Sequence, residues 1–269
     1  MVTRPTEIDF QPDEKLQPLP EHVTDALENG WADPAKALKL EDANDLLKPG
    51  YLPLETGYAR LADGKILVAC LTKMPGVKGR MINWWFGWMI NTTHYKWWHP
   101  QAHVWSGFEK GIEGRNNNPD DANYIGDAHL VHETIGNETS KLRIEFKDPS
   151  EYLDTSLFNE ANVGAVICAR PGYLDKPLKI GHMIHFIRDT EDGCEMRSRF
   201  WTGDIEIGIP ILRTFLGKIM NTRIMRMKVL PEFLGKELLI HCAEEMNHLA
   251  GFLPELFYKM TGEKPAGIG

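Results

Sequence analysis

The sequence has few cysteines and no apolar run long enough to cross a membrane. Its four cysteines are scattered over 269 residues without a Cys-x-x-Cys pair, so we expect free thiols rather than a disulfide framework or a cysteine-bound metal. The densest apolar stretch, 81–90, is shorter than the roughly 18 residues of a membrane helix and contains Asn83. The first twenty residues lack the apolar segment of a signal peptide. These features favour a cytoplasmic protein that is not inserted into a membrane.

Basic residues are also too few for a nucleic-acid-binding surface. The formal net charge is −8, and the 30 lysines and arginines form no stripe interleaved with aromatic residues, so we expect no nucleic acid among the partners. Hydrophobic residues make up 42% of the chain and charged residues 25%, which is typical of a globular protein with a sizeable core.

The first part of the chain differs in composition from the rest. Residues 1–55 are rich in proline and acidic residues, with short helical patterns at 22–29 and 34–47, and predict an arm that packs on the main domain or on a second subunit. Two strands are expected next, at 57–61 and 65–70. We therefore divide the chain into an N-terminal arm or dimerisation region, 1–75, and a catalytic domain, 76–269.

The remainder of the chain predicts a sheet followed by helices. A helix with aromatic residues on several faces is expected at 81–92. Connections too short for crossover helices predict an antiparallel sheet, with strands at about 102–109, 124–136, 140–147, 162–170, 178–190 and 193–203. Helices are expected at 210–221 and at 231–260, the latter kinked before Pro254. This is an α+β pattern, in which a curved antiparallel sheet around a long C-terminal helix encloses a deep cavity.

The C-terminal helix carries the first candidate metal ligands. His241 and Glu245 are four residues apart, so they share one helical face and could chelate one ion. The same spacing also describes a simple ion pair on a solvated surface. Apolar neighbours such as Leu238 and Leu249 favour burial, and a buried His and Glu need partners.

Two upstream segments supply further histidines and a glutamate. His99 and His103 flank a proline turn, and His129, His132 and Glu133 lie in a predicted strand. Because side chains alternate along a strand, Glu133 and His132 point to opposite faces, and one of the two faces the cavity. Three segments rich in His and Glu suggest a single metal site that forms in the folded chain.

A family resemblance rests on the runs YKWWHPQAHVW, HLVHETIG, GHMIHFIRD and HCAEEMNHLAGFLPELF. From about residue 50 to the end, the chain resembles the family of 2,4-diacetylphloroglucinol hydrolase and phloretin hydrolase. The resemblance implies a zinc-dependent hydrolase of carbon–carbon bonds in ketonic substances, which separates an acyl group from a phenolic ring. It also implies a Bet v 1-like helix-grip fold and a homodimer in which the N-terminal portion takes part.

The resemblance implies a set of zinc ligands, two histidines and two glutamates. In this sequence they correspond to His241, Glu245 and Glu133, together with either His103 or His99. His103 is favoured because it begins a strand, which fixes a ligand better than a turn does.

The resemblance also implies residues that act on the substrate. Tyr95, eight residues before His103, and His185 are the expected catalytic residues. Where the family has a second tyrosine in its pocket, this chain has Phe200 or Trp201, so its substrate could carry a different pattern of hydroxyl groups.

Two other functions are compatible with the sequence. A helix-grip fold also suits a non-catalytic carrier of hydrophobic ligands, which would need no converging metal ligands. An enzyme of the same fold could use other metal chemistry, as in an iron-dependent oxygenase or a cyclase. The sequence does not identify the acyl group, which could be acetyl, a longer alkanoyl or a dihydrocinnamoyl group.

Overall fold

The strands form one antiparallel sheet. The computed structural model describes residues 9–113, 115–116, 118–209 and 216–263. Within them the sheet has eight strands in the order β1-β2-β8-β7-β6-β5-β4-β3. The strands are β1 (Gly57–Arg60), β2 (Ile66–Pro75), β3 (His103–Phe108), β4 (Ala128–Ile135), β5 (Glu138–Lys147), β6 (Val163–Tyr173), β7 (Leu178–Asp189) and β8 (Gly193–Ile207). Each strand from β3 to β8 is the antiparallel neighbour of the next, as predicted, and the connections from β4 to β5, from β6 to β7 and from β7 to β8 are short turns.

Tight turns fix the register of two hairpins. Gly136, at φ +62°, joins β4 to β5 through a two-residue turn, so that Ile135 pairs with Glu138. The turn at 190–193 sets His185 opposite Ser198 on β8. Glycine is favoured at position 136 because it adopts positive φ without steric cost.

Five α-helices whose two ends both lie in the described residues accompany the sheet: α1 (Glu21–Asn29), α2 (Gly79–Trp88), α3 (Thr92–Trp98), α4 (Arg223–Val229) and α5 (Phe233–Thr261). The long helix α5 continues through Pro254. Of the helix predicted at 210–221, residues 216–220 are helical and 210–215 lie outside the described residues. The α+β prediction is confirmed, and no described helix is both long and apolar enough to cross a membrane.

The helix predicted at 81–92 is wrong in its extent. Helix α2 ends at Trp88, and α3 begins after Asn91, whose side chain accepts a hydrogen bond from the backbone N–H of His94 at 2.9 Å. Asn91 has an extended backbone and caps the new helix. This second helix, which the sequence pattern did not reveal, carries Tyr95.

The two faces of the sheet bury separate apolar clusters. On the concave face, α5 and the aromatic residues of α2 and α3 pack against the strands, with Trp84, Trp85, Leu249 and Leu253 fully or almost fully buried. On the outer face, Trp201 packs among residues of the segment 37–61. The segment 37–61 thus covers the outer face of the sheet, whereas Phe10, Leu19 and Val23 pack with the cluster of the concave face.

The sheet contains strands from both sides of the predicted boundary at residue 75. β2 pairs with β8 along its whole length, from Ile66 opposite Thr202 to Pro75 opposite Gly193. Residues 57–75 are therefore part of the sheet, whereas residues 37–54 pack on its outer face. A role of this N-terminal region in dimer formation stays a prediction.

A buried ion cluster attaches the N-terminal segment to the sheet. Glu55 bonds Arg197 at 2.6 Å and Arg199 at 2.7 Å, and both arginines are inaccessible to solvent. Arg197 also donates to the carbonyl of Leu46. Burial opposes ionisation of Glu55, but the two guanidinium groups outweigh it and lower the pKa of this carboxyl. The carboxylate thus balances two buried cations.

We expect the substitution Glu55→Gln to destabilise the fold by about 3–5 kcal/mol, because it leaves two buried guanidinium groups without a counter-charge. Urea denaturation measures the change. The matched control is Glu28→Gln, which alters an exposed carboxyl of α1 and should change stability by less than about 0.5 kcal/mol. Equal, small effects of both substitutions would show that the cluster does not hold this segment in place.

Candidate active site

A cavity of about 470 Å³ lies between the sheet and the C-terminal helix. Phe233 lines it at the start of α5, and so do four further residues of this helix, Leu234, Leu238, His241 and Glu245. Their spacings of four, three and four residues place them along one helical face. The opposite wall comes from strands β4 to β8, and most of the lining is apolar.

Three predicted ligands meet at one end of this cavity. Donor atoms of His103, Glu133 and His241 lie within 4.8 Å of one another, and all three side chains are buried. They converge because His103 begins β3 directly opposite Glu133 on β4, while α5 brings His241 across the cavity.

Glu245 is the fourth predicted ligand and lies beside both histidines. One of its carboxylate oxygens is 3.6 Å from Nε2 of His103 and 3.8 Å from Nε2 of His241. Donor atoms bound tetrahedrally to zinc at about 2.0–2.1 Å are roughly 3.4 Å apart. The separations are therefore close to those of a zinc site.

The hydrogen bonds around the two histidines leave a ring nitrogen of His103 free to bind a metal. Nδ1 of His103 bonds the carbonyl oxygen of Tyr95 at 2.8 Å, so this nitrogen carries the hydrogen. Its buried Nε2 has no hydrogen-bond partner among the described residues. A backbone hydrogen bond with Thr134 orients His241. An unpartnered buried nitrogen aimed at two carboxylates is the arrangement that a metal ion would complete.

The protonation states of the cluster also fit a cation. Burial, followed by the neighbouring histidine, lowers the pKa of His103, and burial lowers that of His241 to about 3. Both imidazoles are therefore neutral near pH 7, as metal ligands must be. Burial and then the charge of Glu133 raise the pKa of Glu245. A divalent cation would offset the repulsion between these two carboxylates.

His99, the alternative fourth ligand, uses both ring nitrogens elsewhere. Its Nδ1 accepts the backbone N–H of Ala102 at 3.2 Å, and its Nε2 lies 3.2 Å from a carboxylate oxygen of Glu244. Its ring stacks on that of His241, with centroids 5.1 Å apart. The structure thus brings His103 into the cluster, whereas His99 packs beside His241 and is not part of the cluster.

Tyr95 contacts two members of the cluster. Its hydroxyl donates to a carboxylate oxygen of Glu133 at 2.6 Å, and its ring stacks on His103 with centroids 3.7 Å apart. Burial and the charge of Glu133 raise its pKa, so the phenol stays protonated. Tyr95 also lines the same cavity, and its hydroxyl oxygen can still accept a hydrogen bond.

His185 lines the cavity away from the cluster. Its Nδ1 bonds the hydroxyl of Ser198 on the neighbouring strand at 2.8 Å, and its ring lies beside Phe86 and Phe200. Burial lowers its pKa to about 3, so the ring is neutral near pH 7. Phe200 lines the cavity, whereas Trp201 belongs to the outer apolar cluster.

The sequence pattern did not reveal Ser198 as the partner of His185. The two lie on adjacent strands of a hairpin, and the turn at 190–193 fixes their pairing. Counting back from that turn in the sequence could have revealed the pair.

The other histidines of the predicted strand have ordinary partners. Nε2 of His129 bonds the hydroxyl of Ser106 at 2.8 Å, inside the sheet. His132 packs on the half-exposed ring of Trp105. Glu133 faces the cavity and His132 faces outward, as the alternation of the strand requires.

Buried neutral histidines should make the metal-free protein sensitive to acid. The pKa of His129 is lowered to about 3, first by burial and then by Arg115. Between about pH 6.5 and 3 the unfolded chain binds the proton and the folded chain does not, so this histidine costs stability as pH falls. We expect His129→Gln to reduce the slope of unfolding free energy against pH by up to about 1.4 kcal/mol per unit in that window.

Denaturant titrations at several pH values between 7 and 4 measure this slope. The matched control is His132→Gln on the outward face of the same strand, which should leave the slope as it is in the parent protein. A slope that His129→Gln does not alter would contradict the burial of a neutral imidazole at this position.

Taken together, the cavity and its polar end define a class of protein: an enzyme for small apolar molecules with a candidate metal centre. The family model described as the DAPG hydrolase PhiG domain matches residues 38–258. The chain therefore belongs to the DAPG hydrolase family, and it is a hydrolase. The resemblance predicted from the sequence is confirmed.

Individual relatives agree with this family. The chain is 29% identical over 227 residues to a 2,4-diacetylphloroglucinol hydrolase of Pseudomonas protegens, covering 81% of this chain and 72% of the relative. It is 28% identical over 255 residues to a phloretin hydrolase of Eubacterium ramulus, covering 91% and 87%. A solved structure from Arthrobacter aurescens has 9% identity and a TM-score of 0.28, and covers 68% of this chain and 90% of that one. This likeness is too low to assign a fold family.

Proposed function

We propose that this chain is a zinc-dependent hydrolase that cleaves the carbon–carbon bond between an acyl group and a phloroglucinol-type ring. The observation that carries the proposal is the convergence of His103, Glu133, His241 and Glu245 at the polar end of an otherwise apolar cavity. The names of the relatives support the substrate class, because one acts on diacetylphloroglucinol and another on phloretin.

The four proposed ligands would hold the metal with two imidazole nitrogens and two carboxylates, a donor set that zinc accepts. Bound zinc would polarise the ketone oxygen and promote ionisation of a water molecule. Tyr95 keeps Glu133 in place through its 2.6 Å hydrogen bond and covers one face of His103. We assign to Tyr95 the further role of accepting a hydrogen bond from a ring hydroxyl.

The reaction requires a proton to move from a ring hydroxyl to the ring carbon that bears the acyl group, which gives the keto tautomer. Water then adds to the carbonyl carbon, and the bond to the ring breaks, which releases a carboxylic acid and the ring as a phenolate. Hydroxyls ortho and para to the acyl group make this leaving group an enolate, and the proton given up by water restores the hydroxyl of the deacylated phenol. His185 lines the cavity and is held by Ser198 through Nδ1, so its other ring nitrogen is placed to exchange these protons with the substrate.

A non-catalytic carrier explains the buried cluster poorly. Two buried carboxylates beside two buried histidines are costly unless they bind something, and a carrier of apolar ligands gains nothing from them. The fold we propose is the Bet v 1-like helix-grip. We further propose a cytoplasmic homodimer that uses the region 1–75; sedimentation of the full chain over a range of concentrations would test the dimer.

Product analysis with metal quantification tests the function. Purified protein is incubated with mono- and diacetylphloroglucinol and with phloretin, the acid and phenol products are identified, and zinc, iron and manganese are measured in the same sample. We expect both products and about one zinc per chain. Hydrolysis by metal-free protein would contradict the role of the metal, and oxygen-dependent products with bound iron would indicate an oxygenase instead.

A further inference from the structure

The cavity extends well beyond the candidate metal cluster. His241 and Leu234 both line it from α5, and they are seven residues apart. At 1.5 Å per residue, the lined face continues for about 10 Å along the helix axis from the histidine to this leucine. On the facing wall, alternate residues of β5 from Phe146 to Glu138 line the same cavity, a span of roughly 26 Å at 3.3 Å per residue.

The two ends of this channel differ in chemistry. The end next to the cluster is aromatic and polar, with Phe86, Tyr95, Trp98 and His185 in its wall. The other end is aliphatic, and its wall contains Ile205, Val229, Leu230, Leu234 and Leu238. The polar end therefore offers partners for a hydroxylated ring, whereas these five aliphatic side chains of the other end offer apolar contacts.

The aliphatic end reaches the protein surface. Val229 and Phe233 line the cavity and are 42% and 49% exposed. A volume of about 470 Å³ falls in the range of sites that enclose a whole drug-sized molecule, about 300–1,000 Å³. A ring with only an acetyl group would leave the aliphatic end without contacts, and dispersion and hydrophobic stabilisation would be lost there.

We infer that the acyl group of the preferred substrate is a long apolar chain that lies along α5 from the metal cluster to Leu230 and Leu234, with the phenolic ring at the aromatic end. This inference rests on the proposed function. It specifies the acyl group that the relatives' names leave open, and it makes the leucine-lined end a specificity subsite.

A chain-length series tests the inference. Phloroglucinols with acetyl, butanoyl, hexanoyl, octanoyl and dodecanoyl groups are compared by kcat/KM with the zinc-loaded protein. Each buried methylene should raise kcat/KM by up to about fourfold, so the octanoyl compound should exceed the acetyl compound by at least about tenfold. Values that are flat or fall with chain length would overturn the inference.

A substitution in the subsite gives a second test. Leu234→Trp should fill the aliphatic end and lower the octanoyl-to-acetyl ratio of kcat/KM by at least about tenfold. The matched control is Leu157→Trp, which adds the same side chain at an exposed site away from the cavity and should leave the ratio unchanged. An unchanged octanoyl-to-acetyl ratio in Leu234→Trp would show that the acyl chain of the substrate lies elsewhere.

Binding separates this inference from the proposed function. Octylphloroglucinol, which has no ketone to hydrolyse, is titrated against the protein with tryptophan fluorescence as the signal, beside ethylphloroglucinol. Tighter binding of the octyl compound, weakened by Leu234→Trp, supports the subsite even if no acylphloroglucinol is hydrolysed, an outcome that would refute the proposed function alone. Efficient hydrolysis of the acetyl compound with equal binding of both alkyl compounds would refute the subsite alone.

Discussion

Replacing His241 by alanine should remove the bound metal and lower kcat/KM for an acylphloroglucinol by about a thousandfold or more. The imidazole is one of two neutral nitrogen donors in the cluster and lies 3.8 Å from the carboxylate of Glu245. Without it, two buried carboxylates and one histidine remain. Stabilisation of transition-state charge by a bound metal is worth several kcal/mol, which corresponds to a rate factor of this size.

Metal content by elemental analysis and product formation are measured on the same preparation of His241→Ala. His99→Gln is the matched control, because His99 stacks on His241 but directs both nitrogens to other partners. The control should keep its metal. If His241→Ala retained the metal and His99→Gln lost it, His99 rather than His241 would be the metal ligand.

The second large effect is expected at His185. His185→Ala should reduce kcat by about 10²- to 10⁴-fold, the usual contribution of a positioned acid or base, while the bound metal stays at the level of the parent protein. The side chain lines the cavity and bonds Ser198, and it is not part of the metal cluster. Its loss should therefore affect proton transfer and not metal affinity.

Steady-state kinetics and metal analysis of His185→Ala distinguish three roles. A lower kcat with full metal content supports proton transfer. Loss of metal would make His185 a ligand, and an unchanged kcat would make it a structural histidine of the core. Ser198→Ala should give a smaller loss of kcat and a changed pH profile, because it removes only the hydrogen bond that orients the ring.

The sheet and the long helix could be predicted because their signals are local. Alternating side chains and short turns such as Glu191–Gly193 determine hairpins, and the spacing of His241 and Glu245 already places both on one helical face. Helix α3 was not predicted, because its aromatic run has no clear period and its start depends on the cap by Asn91. The helical pattern at 34–47 forms only short 3-10 turns, Pro34–Lys36 and Leu40–Leu47.

The remaining features depend on contacts between distant parts of the chain. Glu55 is more than 140 residues from the arginines that it neutralises, and no local pattern connects them. The choice between His99 and His103 depends on which ring nitrogens are already hydrogen-bonded. The sequence left these two residues as candidates for the second histidine ligand. The backbone around Ala102 and Tyr95 decides which of them joins the cluster.

Anomalous diffraction at the zinc edge, from crystals of the protein purified without chelator, tests the central claim most directly. We predict one strong peak about 2.0–2.2 Å from Nε2 of His103, Nε2 of His241 and carboxylate oxygens of Glu133 and Glu245. No peak at this position in protein that hydrolyses an acylphloroglucinol, or a peak bound by other residues, would contradict the proposed metal centre.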